Sequence, residues 1–283
     1  RASSLGYALG YLGGGLLFAI ATFRAKMPHR FGLPDATAAV KVGFLSVAVW
    51  WALFTVPLLR WVPEPEGGRA QGLWSATVEG LAQLRDTLQH VRQLKHTFGF
   101  LLAYWLYIDG VDTIVRMAVD FGMSIGLKSG DLIGALLLTQ FVGFPAAILF
   151  GRLGQRWGTR RSILVGIAVY AGVTLLAANL RSAAGFYALA AIVGLVQGGV
   201  QALSRSLFAR LSPRSRVTEF FGLYNMLGKF AAVLGPLLMG LVALASGSTR
   251  WSITSLLILF ALGGLLLSRV DVEAGERAAR QFD

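Results

Sequence analysis

The sequence predicts an all-α protein that crosses a membrane several times. Of its 283 residues, 55% are hydrophobic and only 14% are charged, whereas a soluble domain carries about 25% charged residues. The chain contains no Cys, which excludes a disulfide scaffold. Charged residues are also distributed unevenly, so that long apolar stretches alternate with short basic segments.

Eight apolar stretches are long enough to cross a bilayer, which takes about 20 helical residues at about 1.5 Å rise each. They cover residues 3–23, 38–61, 97–119, 132–150, 162–180, 183–208, 220–245 and 251–267. Together they contain seven charged residues, because unpaired charge is costly in hydrocarbon. Helices satisfy their backbone hydrogen bonds internally, so eight stretches predict eight transmembrane helices.

Basic residues predict the orientation of these spans. The segments on the side of the two termini hold 15 Lys and Arg, and those on the opposite side hold 6. We therefore expect an integral protein of the bacterial inner (plasma) membrane, with both termini of this chain cytoplasmic. The net charge of +12 is interpreted as topology and attraction to anionic membrane lipids. It does not indicate a nucleic-acid partner, because the charge is scattered over short loops.

A long segment between the second and third spans divides the chain into four predicted regions. Residues 1–62 hold two spans, residues 63–96 form a cytoplasmic linker with an amphipathic helix, and residues 97–270 form a six-helix bundle. Residues 271–283 are expected to be a solvated, charged cytoplasmic tail. Two positions remain open for the amphipathic helix: it lies on the inner membrane face, or it packs on the spans.

Glycines interrupt two of the spans. Gly6, Gly10 and Gly14 follow a small-xxx-small pattern that predicts close packing of the first span against a neighbour. In the seventh span, Pro236 follows Gly235 and is expected to kink the helix, because proline removes a backbone hydrogen bond.

The third span carries the most informative polar residues. Asp109, Asp112, Arg116 and Asp120 are three or four residues apart and share one helical face. Ionisable residues inside a membrane are candidates for a functional site. We hypothesise that Asp109 and Asp112 bind a proton or a cationic group, with Arg116 beside them. The alternative is an Asp112–Arg116 pair that only stabilises packing.

Further polar residues follow helical spacing in the fourth, sixth and seventh spans. Gln197, Gln201 and Arg205 share a face that either lines a polar cavity or bonds to a neighbouring helix. Asn225 and Lys229 are also four residues apart, and a buried Lys229 should be deprotonated or paired with Asp109 or Asp112. The substrate- or ion-binding candidates are Asp109, Asp112, Arg116, Gln140, Gln197, Gln201, Asn225 and Lys229. Tyr7 and Tyr11 are expected to serve core packing.

Other chemistry is not indicated. The three His residues lie in separate loops without metal-ligand spacing, so we expect no metal and no cofactor. No Ser lies in a nucleophile-elbow context. The sequence therefore does not predict an enzyme.

The loop after the fourth span resembles the loop signature of the major facilitator superfamily. It matches at six positions, with Gln155 in place of the signature Asp. We expect these six residues to form a gating loop that latches the two halves of the protein: Gly151, Leu153, Arg156, Gly158, Arg160 and Arg161.

Five further stretches resemble the vacuole-effluxer-like branch of that superfamily. They are residues 3–15, 107–112, 140–145, 194–205 and 219–229. The resemblance implies a major facilitator fold of twelve helices, of which eight are present here and the first four are absent. It also implies a transporter that moves a small-molecule substrate, such as an amino acid, by alternating access. Coupling to protons is expected if protonation of Asp109 or Asp112 favours one access state. The alternative function is a non-transporting membrane scaffold or receptor.

Overall fold

The computed structural model describes residues 2–63 and 73–283, and residues 64–72 of the predicted linker lie outside this part. The described chain is helical almost throughout, with a short 3₁₀ turn at Pro28–Phe31. Its helices are α1 (Ala2–Lys26), α2 (Ala36–Trp61), α3 (Leu73–Gln93), α4 (Lys95–Ser124), α5 (Ser129–Trp157), α6 (Thr159–Ala178), α7 (Ala183–Leu211), α8 (Val217–Phe230), α9 (Leu234–Ser246), α10 (Thr249–Thr254), α11 (Leu256–Ser268) and α12 (Val272–Phe282).

Eight segments of the described chain are long and apolar enough to cross a membrane, which confirms the predicted number of spans. Two of them are not continuous helices. The seventh consists of α8 and α9 with a turn at residues 231–233, and the eighth consists of α10 and α11 with a turn at Ser255. The seventh span therefore breaks one turn before Pro236, where we expected only a kink.

The chain forms two compact units, residues 12–80 and residues 1–11 with 81–283. In the larger unit, α5 packs along α7, α4 packs on α11, and α6 packs on α7. Large side chains such as Phe100, Tyr107, Tyr170 and Phe260 are fully buried there. In the smaller unit, Arg24 donates to Ser46 (2.9 Å), and Asp35 caps α2 by accepting from the Ala38 amide (2.7 Å).

The predicted solvated tail is instead a folded helix. Asp271 caps α12 by accepting a hydrogen bond from the Ala274 amide (3.0 Å), and α12 packs on α4 and α7. Gly275 and Ala279 are buried on its inner face. The segment is mostly polar in sequence, since only small apolar residues recur on one face of the helix. That narrow face is sufficient to dock a helix of this length.

Charged side chains tie three elements together at the end of the bundle that contains α12. The Arg216 Nη1 atom donates to Asp86 (2.7 Å) of α3 and to Glu219 (3.5 Å) of α8. The side chain of Asp283 accepts hydrogen bonds from the Arg214 (3.0 Å) and Ser215 (2.9 Å) amides. The amphipathic helix α3 is thus bonded to the bundle through its last three turns, which supports the packed alternative over one lying free on the membrane.

We expect the docking of α3 and α12 to weaken in acid. The hydrogen bond from Arg216 lowers the pKa of Asp86, and the Ser215 amide lowers the pKa of Asp283. A depressed carboxyl pKa gives stability that is complete above the ordinary value of about 4 and is lost as pH falls through the folded-state pKa. Hydrogen exchange of residues 81–93 and 272–282 should therefore accelerate specifically between about pH 4 and pH 2.

In the variant Asp86→Asn/Asp283→Asn, protection of these segments, corrected for intrinsic exchange, should be lower at pH 7 and depend less on pH. The matched control is Glu79→Gln, because Glu79 is exposed on the same helix α3. A double variant that keeps the parental acid dependence would contradict the assignment.

Candidate functional site

A polar cavity lies in the larger unit, between the beginning of the first span and the fourth and sixth spans. Its volume is about 690 Å³, and its lining comes from the first turns of α1 and from α5 and α7. The lining residues are Ser3, Gly6, Tyr7, Gly10, Tyr11, Gln140, Gln201 and Arg205. Two of the predicted site residues, Gln140 and Gln201, therefore meet in one cavity. Tyr7 and Tyr11 belong to it too, although we expected them to serve core packing.

Glycines shape this cavity in two ways. A methyl group at Gly198 of α7 would lie 2.6 Å from Tyr11 Cε2, and one at Gly143 of α5 would lie 3.1 Å from Tyr11 Cδ1. These two glycines let the Tyr11 ring enter between the helices. Gly6 and Gly10 leave open space instead: within the described residues, no atom lies within 4 Å of an added methyl group. The predicted close packing through Gly6 and Gly10 is therefore not observed, because their bare backbone lines the cavity.

Arg205 supplies a positive charge to the cavity. Its guanidinium lies over the Phe221 ring, 5.3 Å from the centroid, which orients it by cation–π attraction. Phe221 in turn contacts Tyr224 and Phe208 edge-on, at 5.8 and 5.2 Å between centroids. No ion pair among the described residues involves Arg205.

The sequence contained the signal for Arg205, which is four residues from Gln201 and eight from Gln197. We placed Arg205 on the polar face of the sixth span but not among the binding candidates. Only the packing of α7 against the start of α1 shows that its side chain lines a cavity.

Asp112 is half-buried, and Arg116 and Lys229 are within electrostatic range of it. The same carboxylate is within electrostatic range of Tyr7 and Tyr11 in the cavity lining. Lys229 itself is exposed and forms no ion pair in the described chain. Pairing or deprotonation was expected for a buried Lys229, and an exposed Lys229 near the end of α8 does not meet that condition.

Asp109 has a different position from the other polar residues of α4. It is fully buried and accepts hydrogen bonds from the Leu234 amide (3.0 Å) and the Gly235 amide (2.8 Å). Thr113, one turn further along α4, donates to the same carboxylate (3.2 Å). Leu234 and Gly235 are the first residues of α9. Asp109 therefore caps the second half of the broken span from a neighbouring helix.

Gly235 is needed for this contact. A side chain at residue 235 would overlap the Thr113 hydroxyl and lie 2.8 Å from the Asp109 Oδ1 atom. The first amides of a helix have no partner within the helix and carry its positive dipole end. A carboxylate is consequently the group best suited to satisfy them away from water.

The remaining candidates lie outside the cavity lining. The Oε1 atom of Gln197 is buried and has no hydrogen-bond partner in the described chain. Gln197 is one turn from Gln201 on α7, on the side towards the middle of the helix. Asn225 and Arg116 are exposed. The structure thus gathers Gln140, Gln201 and Arg205, and keeps Asp109 in a separate contact.

The segment that resembles the facilitator signature was expected to be a loop, but its residues up to 157 belong to α5 and those from 159 belong to α6, so that only Gly158 separates the two helices. Gly158 has φ of 85° and ψ of 144°, a backbone conformation that favours glycine. Arg160 donates to the Val270 carbonyl (2.6 Å) just beyond the end of α11, and a methyl group at Gly151 would meet Ser4 Oγ of α1 at 2.6 Å. Leu153 is half-buried, while Arg156 and Arg161 are exposed.

Replacing Asp109 should destabilise the protein strongly. Asp109→Ala leaves two helix-start amides and the Thr113 hydroxyl without their acceptor, and unpaired buried donors cost about 1–3 kcal/mol each. We expect a loss of about 3 kcal/mol or more in detergent, and a smaller loss for Asp109→Asn, which keeps one carbonyl oxygen. Gly235→Leu should behave like Asp109→Ala, because its side chain would displace the carboxylate.

The measurement is thermal unfolding monitored by circular dichroism. Asp120→Ala is the matched control, because Asp120 is exposed on the same helix, and it should change stability by less than about 0.5 kcal/mol. If Asp109→Ala has the same unfolding temperature as the control variant, the hydrogen bonds of Asp109 do not stabilise the break between α8 and α9.

The chain is similar in sequence to a family of membrane proteins. The sequence profile of the family described as "Vacuole effluxer Atg22 like" matches residues 1–280. A Bacillus subtilis protein described as an uncharacterised MFS-type transporter, YxiO, is 36% identical over 280 residues, which cover 99% of this chain and 65% of that protein.

Fungal proteins are similar at lower identity. Autophagy-related protein 22 of Yarrowia lipolytica is 28% identical over 317 residues, covering all of this chain and 52% of that protein. The same protein of Cryptococcus neoformans is 28% identical over 302 residues, covering 54% of its length. The chain thus spans about half to two thirds of the relatives it matches. It is a polytopic α-helical membrane protein of the major facilitator type, and it belongs to the family of Atg22-like vacuole effluxers.

Proposed function

We propose that this protein is a secondary transporter of a small carboxylate-bearing solute, with amino acids as the substrate class. One observation carries the proposal: a cavity of about 690 Å³ among membrane spans is lined by tyrosines, glutamines and the guanidinium of Arg205. Polar and ionisable residues that line a cavity among membrane spans are typical of substrate pathways. The family match supports transport as the use.

Arg205 favours a substrate with a carboxylate. A guanidinium stays ionised in proteins and presents a planar fork of donors that fits carboxylate oxygens. Its π-contact with Phe221 fixes its direction without neutralising it. No acidic residue lines the cavity in the described chain. The anion that completes Arg205 is therefore proposed to be the solute.

Asp112 favours a substrate that also carries an amine. It is within electrostatic range of Tyr7 and Tyr11, the two cavity tyrosines on α1. A cavity with a cation in its lining and a carboxylate within electrostatic range of two lining tyrosines suits a zwitterion. We assign Asp112 as the partner of the ammonium group or of a coupling proton, and Gln140 and Gln201 as hydrogen-bonding groups for the solute.

Alternating access is the proposed mechanism, with the solute bound in the polar cavity. The break between α8 and α9 supports it, because an interrupted span can change its angle without losing regular helices. Asp109 acts here as a positioning residue, since it bonds the start of α9 and does not line the cavity. A bound solute or proton moves the protein only if it favours one access state over the other.

Uptake by proteoliposomes containing the full-length protein tests the assignment. Arg205→Gln should reduce uptake of labelled amino acids at least tenfold, since losing a bidentate charged contact costs about 1.5–3 kcal/mol. Arg205→Lys should restore part of it. If Asp112 binds the ammonium group, Asp112→Asn should reduce uptake of amino acids but spare that of carboxylates without an amine. If Asp112 carries the coupling proton, the variant should reduce uptake of both.

Arg152→Gln is the matched control, because Arg152 is exposed two residues after the apolar stretch 132–150 of α5 and does not line the cavity. Equal uptake by Arg205→Gln and the control would rule out Arg205 as the carboxylate site. If the parent protein neither transports any amino acid nor is stabilised by one, the scaffold or receptor alternative is favoured.

A further inference from the structure

A second cleft, separate from the polar cavity, lies where several spans end. Its volume is about 400 Å³, and the end of α5, the start of α6, the end of α7 and the segment joining α11 to α12 form its walls. Arg160, Arg161, Arg210 and Arg269 line it together with Asp271 and Glu273. The lining therefore has a formal charge of +2, from four arginines and two acidic residues.

Two of the arginines already have partners. Arg160 donates to the Val270 carbonyl (2.6 Å), and Arg210 pairs with Glu276 of α12 (2.5 Å) and donates to Thr159 (3.3 Å). These contacts hold the walls in place. The Asp271 side chain caps α12 by accepting a hydrogen bond from the Ala274 amide. This hydrogen bond lowers the pKa of Asp271, so the carboxyl group is ionised at neutral pH.

Arg161 and Arg269 are the two arginines of the cleft whose guanidinium groups have neither a hydrogen-bond partner nor an ion-pair partner in the described part of the chain. Both are exposed, and neither belongs to an ion pair in the described part of the chain. Arg161 lies in the first turn of α6, and Arg269 directly follows α11. Two guanidinium forks beside one cleft suit the non-bridging oxygens of a phosphate, which arginine binds in bidentate geometry.

The position of the cleft indicates which phosphate it takes. Its walls are the ends of membrane spans, so the arginines lie at the level where lipid headgroups begin. Trp157 is also in the lining, with 52% of its surface exposed. Tryptophan is enriched at this interface because its ring packs on glycerol and acyl groups while its N–H faces the headgroups. Basic pockets between spans on the cytoplasmic side commonly take anionic headgroups.

We propose that this cleft binds the phosphate of an anionic phospholipid, with Arg161 and Arg269 contacting the phosphate oxygens and Trp157 contacting the glycerol region. Arg160 and Arg210 keep the cleft open and basic. The lipid would then join the start of α6 to the end of α11, on the surface to which α12 is docked.

Thermal stabilisation of the full-length protein by lipid tests the proposal. Phosphatidylglycerol added to the detergent-solubilised protein should raise its Tm in a saturable manner, and phosphatidylcholine should not. In Arg161→Gln/Arg269→Gln the concentration for half-maximal stabilisation should rise at least fivefold. The matched control is Arg152→Gln/Arg277→Gln, which removes two exposed arginines from the same end of the bundle but outside the cleft and should behave like the parent.

Three outcomes would overturn the proposal. The double variant could respond to phosphatidylglycerol like the parent, or the control could lose the response equally, which would indicate diffuse surface charge. Inorganic phosphate or soluble glycerol phosphate could stabilise the protein as well as the lipid does, which would indicate a free-phosphate site. Should the double variant fail to fold, native mass spectrometry of the single variants Arg161→Gln and Arg269→Gln provides the same comparison of retained lipid.

Discussion

The buried carboxylate of Asp109 connects the two parts of the molecule on which a transporter would depend, the broken span and the helix beside it. A backbone break inside hydrocarbon exposes amides that water cannot reach, and each must find a partner within the protein. Asp109 provides that partner for Leu234 and Gly235, and Thr113 stabilises the carboxylate from its own helix. Without this contact, the interruption between α8 and α9 would cost the free energy of two unpaired donors.

The polar cavity also depends on a few close contacts between helices. Gly143 and Gly198 make room for the Tyr11 ring, and Gly6 and Gly10 leave space that the ring does not fill. Phe221 orients the guanidinium of Arg205 without neutralising it. Phe221 also contacts Tyr224, which is stacked on Tyr104 at 4.2 Å between centroids. Because the guanidinium is already oriented, little conformational entropy is lost when it binds a solute of opposite charge.

Much of the architecture follows from the sequence, because hydrocarbon sorts residues so strictly. The eight spans, the membrane location and the family were all readable from charge placement and from loop residues such as Gly158 and Arg160. The helical spacing of Gln197, Gln201 and Arg205 also showed which face of α7 is polar. The docked helix α12 was missed, since Gly275 and Ala279 carry too little apolar surface to stand out in a segment with many charges.

The sequence by itself determined which stretches are apolar enough to span the membrane, since an unpaired charge in hydrocarbon is costly. Only the tertiary structure decided what each polar residue does there. Asp109 and Asp112 are three residues apart on one helix, yet the first bonds the start of α9 and the second lies near the cavity tyrosines. Spacing along a helix fixes the direction of a side chain, whereas its partner depends on which neighbouring helix packs there.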